Sequence, residues 1–313
     1  MLSSDVLKVL RKMALLALPI GILLFYVEYN LSKISNSYNQ KRRDFETRMP
    51  EIETLVLGSS QSLNAVNPSF LSKKVHNLAN TSQSLYYDIA LTEKYLDKMP
   101  KLKTVCVGIA YFSFFGEMED TDEEWRTFYY RYFWDISCPN TEKLDARKYS
   151  LIALYGNFTA LKYASKNWKI NEIPLLQQNG FMPKDSVNFI AIINDKTGLE
   201  RCQIHQREKT VGKREIIEKN LEKFVENLTK NHSKNVLFYS TPTYKTYSQF
   251  LDKNDVENNQ KIIAKLCEKY GCKYLDFSND SRFVISDFAN NDHLNESGAT
   301  KFSQLFDAIL PQN

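Results

Sequence analysis

Residues 53–64 read ETLVLGSSQSLN, and this stretch decides the fold. Its first half is a short aliphatic run bounded by polar residues, which predicts a strand buried on both faces. The run leads directly into Gly58, Ser59 and Ser60, so a hydroxyl would lie at the carboxyl end of the strand, backed by free N–H groups of the next turn. That geometry suits a nucleophile, although Gly and Ser also end strands for turn reasons alone.

Similar runs recur along the chain and alternate with helical patterns. This alternation predicts the α/β class, a three-layer fold with a five-stranded parallel sheet covered by helices on both faces. The strands are predicted at Thr54–Leu57, Val75–Leu78, Thr104–Gly108, Val236–Ser240 and Lys273–Asp276, and the helices at about Ser84–Asp97, Arg214–Thr229, Val256–Tyr270 and Ser297–Ile309.

A long insertion, at about 110–235, separates the third and fourth predicted strands and exceeds a simple crossover. It contains an aromatic cluster, residues 125–134. An insertion at this point would lie over the carboxyl edge of the sheet, where open α/β folds bind ligands. We expect a lid or acceptor platform, or an insertion with its own small aromatic core; both can hold together.

A second candidate site residue lies near the other end of the chain. His293 stands in a polar loop before the last predicted helix, with Asp287 and Asp292 close by. An imidazole held by a carboxylate can activate a serine near neutral pH. The alternative is a capping loop in which Asn295 or Ser297 starts the helix and the histidine lies on the surface.

The N-terminal region predicts a membrane anchor. Residues 13–27, MALLALPIGILLFYV, form an uninterrupted apolar run, which continues past Glu28 to Leu31. Fifteen such residues fall short of the roughly 20 that span a bilayer, but interfacial tyrosines and flanking lysines extend the reach. One alternative is a cleaved signal peptide, but no small-x-small cleavage site follows the run. The other alternative is a buried core helix. We predict a cytoplasmic tail at 1–12, a transmembrane signal anchor at 13–31, a polar stalk at 32–50 and a globular domain at 51–313.

Charge gives a weak orientation and excludes one class of partner. Three basic residues precede the apolar run and four follow closely, but a long domain crosses a membrane largely regardless of charge. We therefore expect a single-pass protein of the cell membrane whose globular domain is extracytoplasmic. Residues 1–50 carry eight basic and four acidic side chains, and the remaining chain carries 33 of each sign. A neutral body has no electrostatic footprint for nucleic acid.

Other residues that could do chemistry give weaker signals. The five cysteines lack metal-site spacing and imply no disulfide framework, although one or two bridges are compatible with the sequence. His76, His205 and His232 have no neighbouring partners in the sequence that would make them metal ligands, and we assign them no role. Tyr244 and Tyr247 follow the fourth strand and are candidates for lining a cleft at the same sheet edge.

The serine after the first strand and the histidine before the last helix together resemble the SGNH (GDSL-type) hydrolase superfamily, over roughly residues 53–310. Gly58-Ser59-Ser60 matches the family's first block, which implies that Ser60 is the nucleophile. Residues 77–82, NLANTS, match its second block, with Ser82 where the family has its oxyanion glycine. The resemblance implies an oxyanion hole from the amides of Ser60 and Ser82.

The chain departs from the family pattern at two blocks. After the third strand no Asn follows, and Tyr111 or Ser113 is the available substitute. The last block is Asp-x-x-His in the family, and here Asn290 stands three positions before His293. An amide cannot stabilise an imidazolium as a carboxylate does, so either Asp292 or Asp287 helps, or Ser60 and His293 act as a dyad.

Membrane attachment and Gly-Ser-Ser resemble the branch that modifies cell-envelope polymers, such as alginate O-acetyltransferase accessory proteins and the D-alanyl transfer protein of teichoic acid synthesis. The resemblance implies a serine-dependent acyl transferase or esterase that acts on cell-envelope or exported polysaccharide through Ser60 and His293 and needs no metal, nucleotide or other cofactor. The alternative is a catalytically weak scaffold that binds glycan or a membrane acyltransferase partner. The distance between the Ser60 hydroxyl and His293 discriminates between them.

Overall fold

The computed structural model describes residues 4–137, 145–156, 178–184 and 192–310. Its helices and strands follow the alternation expected from the sequence, and each predicted strand is present to within one residue at either end. The strands are β1 Thr54–Leu57, β2 Val75–Asn77, β3 Thr104–Gly108, β4 Asn235–Ser240, β5 Lys273–Asp276, β6 Phe288–Asn290 and β7 His293–Leu294. The helices are α1 Ser4–Ser32, α2 Ser37–Arg48, α3 Ser60–Ala65, α4 Leu85–Tyr95, α5 Trp125–Tyr129, α6 Leu151–Tyr155, α7 Asp195–Arg207, α8 Lys213–Glu226, α9 Lys245–Ser248, α10 Lys253–Tyr270 and α11 Glu296–Asp307.

The central sheet confirms the predicted fold class. Five parallel strands lie in the order β2-β1-β3-β4-β5. This is the flavodoxin-like order, in which the chain reverses direction across the sheet beside β1. The carboxyl ends of β1 and β3 therefore flank the point where open α/β sheets bind ligands.

Two apolar clusters cover the two faces of the sheet: strands β1 to β4 are buried almost throughout, as expected for strands covered on both faces, whereas the edge strand β5 is only partly buried. The larger cluster packs helices α4, α8 and α10 on one face, through residues such as Leu91, Leu221 and Ile263. The smaller cluster packs α11 on the other face through Phe302 and Phe306. The sheet thus has a helical layer on each side, as predicted.

Helix α1 has 29 residues, and its most apolar 18-residue window has a mean hydropathy of 1.8 with none of it buried. At 1.5 Å per residue it is about 43 Å long, which exceeds the roughly 30 Å hydrocarbon core of a bilayer. Its last turn packs on the body: Val27 and Leu31 are buried, and the Glu28 carboxylate accepts the N–H of Leu151 at 2.7 Å. The helix is therefore long and apolar enough to cross a membrane or to serve as a signal sequence, and its last turn packs against the globular domain.

The predicted stalk at 32–50 is wrong over most of its length. Residues 37–48 form α2, which packs into the main core through Phe45. The Lys41 ammonium is buried and donates to the backbone carbonyls of Asn77 and Gly180 at 2.9 Å, as well as to that of Ala79. From sequence alone a lysine is expected to be solvent-exposed, so this polar segment resembled a stalk.

The insertion after β3 divides between core and site. In the aromatic cluster 125–134, Tyr130 stacks on Tyr87 with ring centroids 4.0 Å apart, and its neighbours belong to the main core. This part is therefore neither a lid nor an independent core. Helix α7, by contrast, lies beside the carboxyl edge of the sheet and contributes side chains to the site there. Residues 138–144, 157–177 and 185–191 of the insertion, Cys138 among them, lie outside the described residues.

Candidate active site

The turn after β1 is shaped around Gly58, whose φ of +134° is accessible to glycine but strained for other residues. A Cβ at this position would lie 2.5 Å from Oγ of Ser62. The Gly58 N–H donates to Asp88 of α4 at 2.9 Å, and this hydrogen bond ties the turn to α4. The chain then enters α3, and Ser60 becomes its first residue. The sequence GSS therefore presents a half-exposed hydroxyl at the sheet edge.

The structure brings the two ends of the domain together at this hydroxyl. Nε2 of His293 lies 2.8 Å from Oγ of Ser60, within hydrogen-bond distance. His293 is 2% exposed, so the alternative of a surface histidine in a capping loop does not hold. Serine hydroxyl and imidazole are thus positioned for general-base activation of the serine.

Local structure around the histidine explains its position. Strands β6 and β7 form a small antiparallel hairpin that holds His293, and Asn295 then caps α11 by accepting the N–H of Gly298 at 2.9 Å. One turn before the end of α11, Ser303 Oγ accepts the N–H of Asn67 at 2.8 Å. Because Asn67 follows α3, this bond ties the last helix to the segment that carries Ser60.

Two side chains compete for the other ring nitrogen of His293. Oδ1 of Asp292 and Oδ1 of Asn290 each lie 3.1 Å from Nδ1. Asn290 also accepts the backbone N–H groups of residues 292 and 293, so it shapes the loop as well. The other alternative, Asp287, is wrong: its carboxylate accepts from Lys301 at 2.8 Å and from the N–H of Val284.

The carboxylate of Asp292 is fully buried and held ionised by its neighbours. Burial alone would raise its pKa, but the adjacent His293 and Arg201 hold that pKa well below the usual range. Nε of Arg201 donates to both carboxylate oxygens at 3.0 Å. The site therefore carries a permanent negative charge beside the imidazole at neutral pH.

His205 completes the surroundings of this carboxylate. Its Nε2 lies 3.8 Å from Oδ2 of Asp292, and its Nδ1 is 2.6 Å from the Tyr247 hydroxyl. Burial lowers the pKa of His205 to about 3, with the charges of Arg201 and His293 adding to the effect against the opposing pull of Asp292. His205 is thus a neutral ring that packs beside Asp292.

Sequence patterns assigned no role to His205 and did not identify Arg201, although both lie next to Asp292. They are four residues apart on α7, so they project from the same helix face. That i,i+4 spacing was the signal available in the sequence. Only the folded structure shows that this face of α7 contacts Asp292.

The loop after β2 lies beside Ser60 and contains Ser82. The N–H of Asn80 donates to the carbonyl of Gly58 at 3.1 Å, which extends the pairing of β1 and β2 beyond the strands. Ser82 has a φ of +54°, the left-handed region that favours glycine. It lines the same cavity as Ser60. The N–H of Ser60, at the start of α3, has no acceptor within its helix.

A cleft of about 120 Å³ opens in front of Ser60 and is rich in acidic groups. Burial raises the pKa of Asp88, Glu117 and Glu208 to about 7 each, so these carboxyl groups lose their protons near neutral pH. Ser113 also lines this cleft, but Tyr111 lines a different cavity. Of the two proposed substitutes for the missing Asn, only Ser113 therefore has access to the cleft.

Within the described ranges, no group of three or more His, Cys, Asp or Glu side chains is arranged to hold a metal ion. The four cysteines in those ranges, Cys106, Cys202, Cys267 and Cys272, are free thiols.

Comparisons with known proteins give no family. No protein-family model and no curated protein matches the chain. Among solved structures it is similar to one described as "a putative platelet activating factor from Streptococcus pneumonia". The alignment has 11% sequence identity and a TM-score of 0.42 and covers 94% of this chain and 98% of that chain. Similarity at this level does not identify a function.

Proposed function

We propose that this protein is a serine-dependent acyl transferase or esterase of the SGNH type. The observation that carries the proposal is the continuous chain from the Ser60 hydroxyl through His293 to the buried Asp292 carboxylate, with distances of 2.8 and 3.1 Å. Base, nucleophile and orienting carboxylate in this order activate a serine for attack on an acyl group. An intact chain favours the enzyme over a catalytically weak scaffold.

In the proposed mechanism, Nε2 of His293 takes the proton of Ser60 as Oγ attacks the carbonyl carbon of an acyl donor. The amides of Ser60 and Ser82 are proposed to bind the oxyanion that forms. The tetrahedral intermediate collapses, and the imidazolium returns its proton to the leaving alcohol. Nε2 of His293 then takes the proton of a second hydroxyl, that of an acceptor in transfer or of water in hydrolysis, as its oxygen attacks the acyl carbon. The bond from this carbon to Ser60 Oγ breaks, and the proton returns to Oγ.

Asp292 stabilises the imidazolium in these steps, and Arg201 is a positioning residue. Arg201 bonds to both oxygens of the carboxylate and so fixes the oxygen that faces Nδ1. The buried carboxylate therefore needs no rearrangement when His293 becomes charged.

We infer that α1 anchors this activity at the cell membrane with the globular domain outside the cytoplasm, where envelope or exported polysaccharides would be its substrates. The apolar helix α1 supports the anchor, and the long domain that follows a short N-terminal tail supports the orientation, because long domains cross a membrane largely regardless of charge. An acyl-exporting membrane protein would be a suitable partner for a tethered transferase. Protease treatment of cells stripped of their outer envelope layers, with the cell membrane intact, should cleave the domain; protection of the domain until the cell membrane itself is lysed would contradict this orientation.

The proposal predicts measurable ester hydrolysis by the full-length protein in detergent. With p-nitrophenyl acetate, Ser60→Ala should reduce kcat to the uncatalysed level because no other hydroxyl in the described site contacts His293. The matched control is Ser59→Ala, which removes the neighbouring buried hydroxyl and should change kcat less than threefold. Equal activity of Ser60→Ala and the wild type would contradict the proposal.

A further inference from the structure

A second cavity lies at the same edge of the sheet but is distinct from the serine cleft. Its volume is about 360 Å³, within the range of about 300–1,000 Å³ for small-molecule sites. Its wall includes Ile109 and Ala110 just after β3, Thr241 just after β4 and Asp276 at the end of β5. The carboxyl ends of parallel strands are where open α/β sheets bind ligands.

Most polar groups in the wall of this cavity already have partners. Ser240 Oγ donates to Asp276 at 2.5 Å, and Thr243 Oγ1 donates to the carbonyl of Ser278 at 3.1 Å. The Asn259 amide donates to a backbone carbonyl at 2.8 Å. These groups are satisfied within the protein and need no ligand.

Gln61 and Thr241 are the exceptions in the same wall. Each is only 5% exposed, and the Gln61 Nε2 and the Thr241 Oγ1 have no hydrogen-bond partner in the part of the chain that the structure describes. Leaving such a buried group unpaired costs about 1–3 kcal/mol, and native proteins rarely do so. Two unpaired groups on residues that line one cavity therefore indicate a polar partner supplied from outside once these side chains turn toward it.

The chemistry of the wall selects the class of ligand. The two unpaired groups are neutral: an amide that donates and a hydroxyl that donates or accepts. The charged residues of the lining are Lys253, Glu257 and Asp276, one ammonium against two carboxylates, so an anion gains no net attraction. An acyl chain would leave both groups unpaired.

Tyrosine rings supply the remaining requirement. Tyr111 and Tyr274 line the cavity, and Tyr274 is the more exposed of the two, with an apolar ring and a polar tip; Tyr247 also belongs to the lining but is fully buried. A pyranose sugar has C–H faces that pack on such rings and hydroxyls that pair with neutral donors and acceptors. Of the neutral ligand classes, carbohydrate fits both parts of this wall. Tyr247, a candidate from the sequence, thus lines this cavity rather than the serine cleft.

We infer that this cavity binds a neutral sugar unit of a polysaccharide. Gln61 directly follows Ser60 in α3, so a bound sugar would lie beside the nucleophile. Its role as the glycan substrate rests on the proposed function, but binding itself does not require catalysis.

Binding is measured on full-length Ser60→Ala, which cannot turn over, in a detergent without a sugar headgroup. Saturation-transfer NMR with cellobiose and with diacetylchitobiose, both neutral disaccharides, should give a signal for at least one of them. Thr241→Val, which keeps the side-chain shape, should weaken that affinity at least fivefold, and Gln61→Glu should do the same by replacing the donor. The matched control, Thr243→Val, removes a hydroxyl in the same wall that is already paired and should leave affinity within twofold.

The inference is overturned if neither disaccharide binds, if Thr241→Val and Gln61→Glu both bind as well as their parent, or if glycerol phosphate binds more tightly than the disaccharides. Failure of the proposed function gives a different pattern. In that case the wild type would not hydrolyse p-nitrophenyl acetate while the sugar still binds Ser60→Ala. Loss of sugar binding with hydrolysis intact would contradict this inference alone.

Discussion

The contact between Asp292 and His293 allows the sharpest mutational test of the site. Two unit charges about 4 Å apart interact by about 4 kcal/mol at an effective dielectric constant of 20. The carboxylate is fully buried and 3.1 Å from Nδ1, so this value applies when the imidazolium forms. Asp292→Asn should therefore lower kcat for p-nitrophenyl acetate by about 1,000-fold, since each 1.4 kcal/mol is a factor of ten. The KM should stay unchanged because the side chain is inaccessible to substrate.

A rescue variant separates charge from structure. Asn290 is also 3.1 Å from Nδ1, so Asn290→Asp in the Asp292→Asn background restores a carboxylate at equal distance. We expect the double variant to recover at least tenfold in kcat over Asp292→Asn. Asp287→Asn is the matched control, because that carboxylate pairs with Lys301 instead, and it should change kcat less than threefold. A kcat for Asp292→Asn within threefold of the wild type would refute the reasoning.

Two further predictions concern the residues around the nucleophile. Burial raises the pKa of Asp88 from 3.8 to about 7, so its proton binds more tightly in the folded state, and the resulting stabilisation is lost as pH rises from about 4 to about 7. Asp88→Asn should therefore raise the thermal stability of the protein at pH 8, by up to about 4 kcal/mol, far more than at pH 4.5. Equal shifts at both pH values, or a similar shift for the exposed Asp97→Asn, would contradict this. Ser82→Gly should stabilise the fold by about 1 kcal/mol in thermal unfolding, because it relieves a left-handed φ, and should keep kcat; a tenfold loss of kcat would show that the serine side chain takes part.

The sequence was sufficient to predict the sheet and to identify Ser60 and His293 as candidate site residues. Thr54–Leu57 and Thr104–Gly108 are strands with the predicted bounds, because buried parallel strands have continuous aliphatic runs. Ser60 and His293 could be predicted because their positions, after the first strand and before the last helix, together match the SGNH pattern that the chain resembles; each local pattern alone left a turn or capping role open. The two patterns together therefore located these pieces of the site.

Residues that depend on tertiary packing could not be predicted. Arg201 and His205 reach Asp292 only through the path of the insertion, and no local pattern specifies that path. The segment that forms α2 was predicted to be a stalk because it is polar. The sequence does not distinguish a lysine such as Lys41, which is buried and bonded to backbone carbonyls, from a solvent-exposed one. The choice between Asp287 and Asp292 likewise depended on which carboxylate Lys301 would pair with.

Mass spectrometry after treatment with a fluorophosphonate probe tests the central claim most directly, because the probe reports an activated serine without knowledge of the substrate. The full-length protein should carry one phosphonyl adduct, and fragmentation should place it on Ser60. His293→Ala should abolish this labelling, since the proton of Ser60 then has no acceptor at 2.8 Å. An adduct on another residue, or labelling that persists in Ser60→Ala, would contradict the account.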